Sequence, residues 1–220
     1  MENNVLEVFS SISDKYDFLD SMISWGMDQR WRRAMVRKIP LGDGKMILDC
    51  GAGTGKLSSL ILKRCKTCHI TMVDINDRMF RKEKFPNVHF ITSTVESIPV
   101  DDMTQDAVVS AFLTRNVPKL ERYISETYRV LKPGGVFVNL DIFRPVLPVY
   151  REFFSLYFYH IVPFIGNRVT GSTSYTYLAQ SVKRFVTTSM FSTMMGLAGF
   201  HDIEMKPFMF GSVCMHAGIK

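Results

Sequence analysis

The chain is poor in cysteine, with only Cys50, Cys65, Cys68 and Cys214. Their spacing lays out no disulfide framework, so a reducing compartment fits. There is no apolar run of about 18 residues free of charge, and no transmembrane helix is expected. No opening segment joins a basic end to an apolar run, so no secretory signal is expected. Internal repeats at solenoid periods and low-complexity tracts are also missing. Acidic residues are the minority charge, 21 against 27 lysines and arginines, for a net charge of +6.

What is present suits a globular core. The 220 residues are 46% hydrophobic and 12% aromatic, enough for one domain and too apolar for a disordered chain. Five of the basic side chains fall in Arg30-Trp31-Arg32-Arg33-Ala34-Met35-Val36-Arg37-Lys38. Such a run meets anionic lipid, nucleic acid or an acidic substrate, or is simply a solvated helix face. One aromatic among five bases makes no stacking platform for nucleic acid.

The most informative stretch is Asp49-Cys50-Gly51-Ala52-Gly53-Thr54-Gly55, between the apolar runs Met46-Ile47-Leu48 and Leu57 to Leu62. It reads as strand, glycine turn and helix, the arrangement that builds a nucleotide site. A second strand, Cys68 to Asp74, ends in a carboxylate 19 residues after Gly55. An acid at that spacing accepts hydrogen bonds from ribose hydroxyls; the plain alternative is a helix cap. The spacing G-x-G-x-G opened by Asp49 differs from the dinucleotide pattern G-x-G-x-x-G. It resembles the first motif of class I S-adenosylmethionine methyltransferases. In that setting Asp49 helps hold the ammonium of the methionyl tail.

Alternating elements continue downstream. Strands are expected at Val88–Thr92, Asp106–Phe112 and Gly135–Asp141, and helices at Leu120–Leu131 and Thr188–Leu197. A closing hairpin is expected over His201–Lys206 and Gly211–Ile219. The expected fold is Rossmann-like α/β: a seven-stranded, mostly parallel sheet with an antiparallel C-terminal strand and helices on both faces. Residues 1–40 are expected to add an N-terminal helical cap and 145–185 an inserted lid. Ligands in such sheets bind at the carboxyl ends of the strands. That places Thr94 and Val95 beside an adenine, the first for its edge and the second for its face. Cys65-Lys66-Thr67-Cys68-His69 has the C-x-x-C-H form of a haem attachment site. Haem there would disrupt the second strand, and zinc lacks further ligands nearby, so the pattern reads as coincidence and no metal is expected.

Longer motifs carry a more specific resemblance. They are Val8-Phe9-Ser10-Ser11-Ile12 with Tyr16-Asp17, Ser24-Trp25-Gly26 with Trp31-Arg32, Arg115-Asn116-Val117, and Tyr128 to Gly135. Later come Tyr159-His160 with Pro163, then Ser174-Tyr175-x-Tyr177-Leu178-Ala179-x-Ser181, and finally His216 to Lys220. Together, from Val8 to Lys220, the chain resembles the UbiE/MenG C-methyltransferases of ubiquinone and menaquinone biosynthesis. The resemblance implies methyl transfer from S-adenosylmethionine, leaving S-adenosylhomocysteine, to a ring carbon of a polyprenylated quinol. It places Thr54, Asp74, Thr94, Val95 and Ala111 at donor contacts. The candidate donor site is thus Asp49, Gly51, Ala52, Gly53, Thr54, Gly55, Asp74, Ile75, Thr94, Val95 and Ala111.

Four positions depart from the family pattern. Thr94 stands for Asn or Asp, Ala111 for Ser, Asp28-Gln29 for His-Arg, and Thr114 for an apolar residue. They leave the ring system open.

A quinol carbon becomes nucleophilic when the neighbouring hydroxyl loses its proton. Arg115 and Asn116, after strand four, are placed to orient the ring and stabilise the oxyanion. Arginine is a poor base, which leaves water, His160, Tyr177 or Asp141 to take the proton. The aromatic stretch Phe153 to Ile165 suits a groove for the prenyl chain, with homodimer packing or ordinary core as alternatives. Phe9, Tyr16 and Trp25 are expected on the other wall. The expected location is the cytoplasm, with peripheral contact at the inner membrane face aided by the basic helix. Three other readings remain: a methyltransferase acting on RNA or another small molecule, a silent S-adenosylmethionine-binding protein, and, more distantly, a dehydrogenase. Against nucleic acid, no N/D-P-P-Y-type site follows strand four and no Pro-Cys nucleophile occurs.

Overall fold

The computed structural model describes residues 24, 26–85, 87–145, 147–171 and 173–220, with only the backbone of 169, 170 and 174. The expected wall of Phe9, Tyr16 and Trp25 lies outside the described residues, as does most of the expected N-terminal cap.

The alternation of apolar runs and helical periods does become α/β structure. In chain order the elements are α1 (Asp28–Val36), β1 (Met46–Cys50), α2 (Lys56–Arg64), β2 (His69–Asp74) and β3 (His89–Thr92). Then follow β4 (Gln105–Ala111), α3 (Leu120–Val130), β5 (Leu131–Ile142), α4 (Pro148–Leu156) and a π turn (Tyr157–Ile161). The chain closes with α5 (Val162–Thr170), α6 (Ser174–Arg184), α7 (Thr188–Leu197), β6 (His201–Phe208) and β7 (Val213–Ile219). The sheet order is β3-β2-β1-β4-β5-β7-β6. Strands β1 to β5 pair in parallel, and β7 runs antiparallel to both neighbours.

Residues alternate between two core layers, as strand pleating requires. Ile47, Ala107, Val109 and Val138 face α1 and α2 with Trp31, Met35 and Ile61. Leu48, Val108 and Phe137 face α3 and α7 with Tyr123, Ile124 and Phe191. Burial on both faces is why the central strands read as unbroken apolar runs. Strand order reverses between β1 and β4, and that switch point opens the crevice where ligands bind.

Boundaries moved where long-range pairing decided them. The helix expected to reach Leu131 stops at Val130, and β5 begins at once. Its early start is supported by the last residue of the chain, whose amide donates to Gly135 O at 3.0 Å while its carbonyl accepts from Gly134 N at 2.8 Å. The last strand begins at Val213, because Gly211 (φ 89°) belongs to the turn after β6. One expectation is corrected outright: Cys65 and Cys68 form a disulfide, with Cα atoms 5.5 Å apart across the α2–β2 turn. The tight turn brings the two side chains together, and neither is a thiolate ligand there. Cys50 and Cys214 are free and buried.

Candidate active site

The glycine loop is tied to the next strand. Gly51 N and Ala52 N both donate to Val73 O, at 2.8 and 3.2 Å. Gly51 has φ 64°, and a Cβ there would lie 2.7 Å from the Leu113 side chain. The backbone therefore approaches the β4 loop more closely than any other residue allows. Asp74, at the tip of β2, accepts from Gly53 N and Asn76 N, both at 2.9 Å. Those bonds fix the loop, and Asp74 lines the cleft beside it. Burial raises the Asp74 pKa, against the pull of its backbone donors.

Asp49 is buried beneath the loop and accepts from the Ser58 hydroxyl at 2.6 Å. Burial pushes its carboxyl up to about 7, opposed by the Ser58 bond and the Arg32 charge. Folding thus favours the neutral acid. This contribution to stability is complete below the ordinary carboxylate range and is lost as pH rises through about 7. A cationic ammonium prefers the carboxylate, so donor affinity is expected to move oppositely, rising towards that pH by up to about tenfold per unit. Asp49→Asn should remove the Asp49 share of both slopes. Titration calorimetry across this range checks it, and a flat wild-type profile contradicts it.

Two troughs share Gly51, Asp74, Ile75, Leu113 and Asn116 and so form one donor cleft. The larger part, about 760 Å³, is lined by Asp49, Gly51, Ala52, Gly53, Thr54 and Ala111, together with Asn76 and Met79. The smaller, about 500 Å³, is lined by Thr94 and Val95. Glu96 secures that end by accepting from Lys119 N at 2.5 Å. Gly55 does not line the cleft. A Cβ there would sit 2.6 Å from the Phe85 ring, so this glycine serves packing beneath the loop.

A third cleft of about 750 Å³ is largely apolar, lined by Trp31, Phe112, Ile142, Tyr150, Phe154, Phe158 and Leu178, with Arg115 and Asp28 as its charged members. Phe112 borders both this cleft and the donor cleft. It holds φ 65°, uncommon for a bulky residue. Its amide donates to Leu140 O at 2.7 Å, and the Arg32 guanidinium lies 4.8 Å from its ring centre. Sequence reading passed over Phe112 as the end of a strand, and no local signal marks it.

Arg115 and Asn116 share the turn after β4 and face different ways: Arg115 lines the apolar cleft, Asn116 the donor cleft. Both also border a wider opening of about 1140 Å³ with Tyr177 and Ser181 of α6. Asp141 is fully buried and accepts from Arg115 Nη1 (2.6 Å), Arg115 N (3.1 Å), Thr114 Oγ1 (2.6 Å) and Ile142 N (2.7 Å). With four donors on it, Asp141 positions Arg115 and is not the proton acceptor. Burial raises the Tyr177 pKa, with Arg115 opposing, so its phenol keeps its proton. His160 is exposed and lines none of these clefts, so the structure does not bring it to the site. Asp28, at a departure from the family pattern, is buried in the wall of the third cleft, where it accepts from Arg32 Nη1 at 2.6 Å and Ser24 Oγ at 3.3 Å.

The residues fit a sulfonium donor: bare backbone at the turn, Asp74 at the tip of β2, Asp49 beneath the loop and apolar Val95 beyond. Among solved structures, a SAM-dependent methyltransferase from Thermotoga maritima superposes with a TM-score of 0.64 at 19% identity, covering 98% of this chain and 99% of the other. The phosphoethanolamine N-methyltransferase 2 of Haemonchus contortus, in complex with S-adenosyl-L-methionine, gives 0.63 at 15% identity, covering 87% and 52%. These likenesses establish the class I methyltransferase fold. In sequence, the ubiquinone/menaquinone biosynthesis C-methyltransferase UbiE of Brucella anthropi is 33% identical over 98% of this chain and 87% of its own length. The enzyme of the same name from Rickettsia bellii is 33% identical over 98% and 92%. The family model described as the ubiE/COQ5 methyltransferase family matches residues 1–220. A donor cleft and an apolar cleft meeting at one turn, together with these likenesses over the whole length, place the chain in the ubiE/COQ5 methyltransferase family.

Proposed function

We propose that this methyltransferase moves a methyl group from S-adenosylmethionine to a ring carbon of a polyprenylated quinol in quinone biosynthesis. One observation carries the reading. A cleft built on the glycine loop, with the acids Asp49 and Asp74 in its lining, and an apolar, aromatic cleft share Phe112 as their common wall. The first suits a sulfonium nucleoside, the second a ring with a prenyl tail.

When bound, the donor supplies an electrophilic methyl on sulfur, which needs no metal. Asp74 and the loop backbone hold the ribose end, and Asp49 the ammonium. Arg115, fixed by Asp141, presents a charge to the apolar cleft and stabilises the phenolate oxygen of the ring. Asn116, on the adjacent position of the turn, keeps the donor side in register. Tyr177 stays protonated in the opening that Arg115 also borders. The quinol hydroxyl gives its proton to water in the cleft, and once the methyl bond has formed the ring C–H proton leaves to water as well and restores the aromatic ring. Residues 148–184, in α4 to α6, act as the lid over the prenyl tail.

A lipid-tailed acceptor implies peripheral contact with a membrane, with no nucleic acid as partner. Among the described residues no helix is long and apolar enough to cross a membrane. The test is mass spectrometry of quinones after incubating the protein with methyl-labelled donor and a reduced lipid extract. One labelled methyl on a ring carbon is expected. Label on RNA, or donor binding with no methylated quinol, overturns the reading.

A further inference from the structure

The helix that walls the acceptor cleft is apolar on both sides. From Pro148 to Thr170 the backbone runs as one helical rod, because the π turn at Tyr157–Ile161 absorbs Pro163, which has no N–H to donate. On the inner face Phe154, Phe158 and Val162 are buried. The outer face carries Val149, Phe153, Leu156, Ile161, Phe164 and Ile165, a stripe at helical spacing that stays exposed, Phe153 at 68% and Phe164 at 65%. Phe210 extends the patch at 72% exposure, packed 5.1 Å from Tyr150, which lines the cleft. A helix apolar all round needs an apolar partner on its second side.

Charge chooses the partner. Residues 144–184 hold Arg144, Arg151, Arg168, Lys183 and Arg184 against a single acid, Glu152. Arg168 borders the stripe, its guanidinium 5.1 Å from the centre of the Phe164 ring. Aromatic and aliphatic side chains edged by arginine are the composition of an interfacial helix on anionic lipid. A second copy of this chain would set one basic patch against another, because a two-fold contact pairs the same patch with itself.

We infer that the outer face of the α4–α5 rod is a docking surface for the anionic face of a lipid bilayer. It rests on the proposed acceptor to this extent: an acceptor dissolved in lipid enters the cleft across the same helix that touches the bilayer. The basic face of α1, with exposed Arg30 and Arg33, is then secondary.

Co-sedimentation with vesicles of mixed phosphatidylglycerol and phosphatidylcholine tests the surface, with pure phosphatidylcholine for comparison. Wild type should partition to the anionic vesicles. Phe153→Ser with Phe164→Ser should weaken partition by about tenfold or more. Its donor affinity should stay within about twofold, because neither residue lines the donor cleft. Arg151→Gln with Arg168→Gln should weaken binding to anionic vesicles alone, and added salt should mimic it. The inference falls if wild type ignores anionic vesicles, or if the double serine variant binds them as well as wild type. It also falls if Arg30→Gln with Arg33→Gln alone releases the protein, or if the serine variant changes only the oligomeric state by light scattering. If the expected partition pattern appears but no quinol is methylated, the docking surface stands and the acceptor assignment fails.

Discussion

Asp141→Ala is expected to destabilise the protein by about 3–5 kcal/mol, more than removal of its partner Arg115. The asymmetry follows from the donors. Without Asp141 the Arg115 guanidinium, whose side chain is 3% exposed, is left in the interior without its carboxylate. Without Arg115 the carboxylate still accepts from Thr114 Oγ1 and Ile142 N, plus the amide at position 115. Arg115→Ala should therefore cost only about 1.5–3 kcal/mol, and yet stop the reaction. Loss of one oxyanion-stabilising cation lowers kcat by about 10²–10³-fold. Donor affinity should hold within about twofold, because Arg115 faces the acceptor cleft and not the donor. Arg115→Lys keeps the charge but not the planar fork, so it should fold and remain slow. Denaturant titration and single-turnover kinetics read both arms. Equal stability losses for the two alanine variants would contradict the buried-pair account. Turnover retained in Arg115→Ala would remove this residue from the mechanism.

Gly51→Ala should weaken donor binding at least about thirtyfold. Two costs combine. The left-handed backbone at φ 64° costs a residue with a Cβ about 1–2 kcal/mol. The new methyl also meets Leu113, 2.7 Å away, in a wall the donor must touch. Leu113→Ala in the same chain removes the contact and leaves the backbone cost, so the pair should regain about tenfold. Calorimetric titration of the single and double variants decides it. Binding unchanged in Gly51→Ala would mean that the loop is not the donor cradle.

Much of this was legible in the chain itself. The strand cores, the turn Gly51 to Thr54, the position of Asp74 at the end of β2 and the bounds of α7 depend on local period and turn chemistry, and the structure places them as the sequence implies. The turn of Arg115 and Asn116 follows from the end of an apolar strand. The misplacements share one cause. His160 sits in an aromatic motif, but helical phase turns it to solvent. Asp141 ends a strand like Asp74, but its lone pairs are taken by groups 26 and 27 positions away. Gly55 shares the spacing of Gly51, but its close neighbour is Phe85.

By itself the sequence determined the α/β order, the glycine loop and the family, because each is written in residues adjacent along the chain. Only the tertiary structure decided that Phe112 stands between two clefts, that Asp28 is the acid of the acceptor wall, and that Asp141 is occupied. Those roles arise where β4 and β5 lie side by side and α1 closes over them. A side chain's chemistry is set by which groups reach it first, and that depends on contacts between positions distant in sequence.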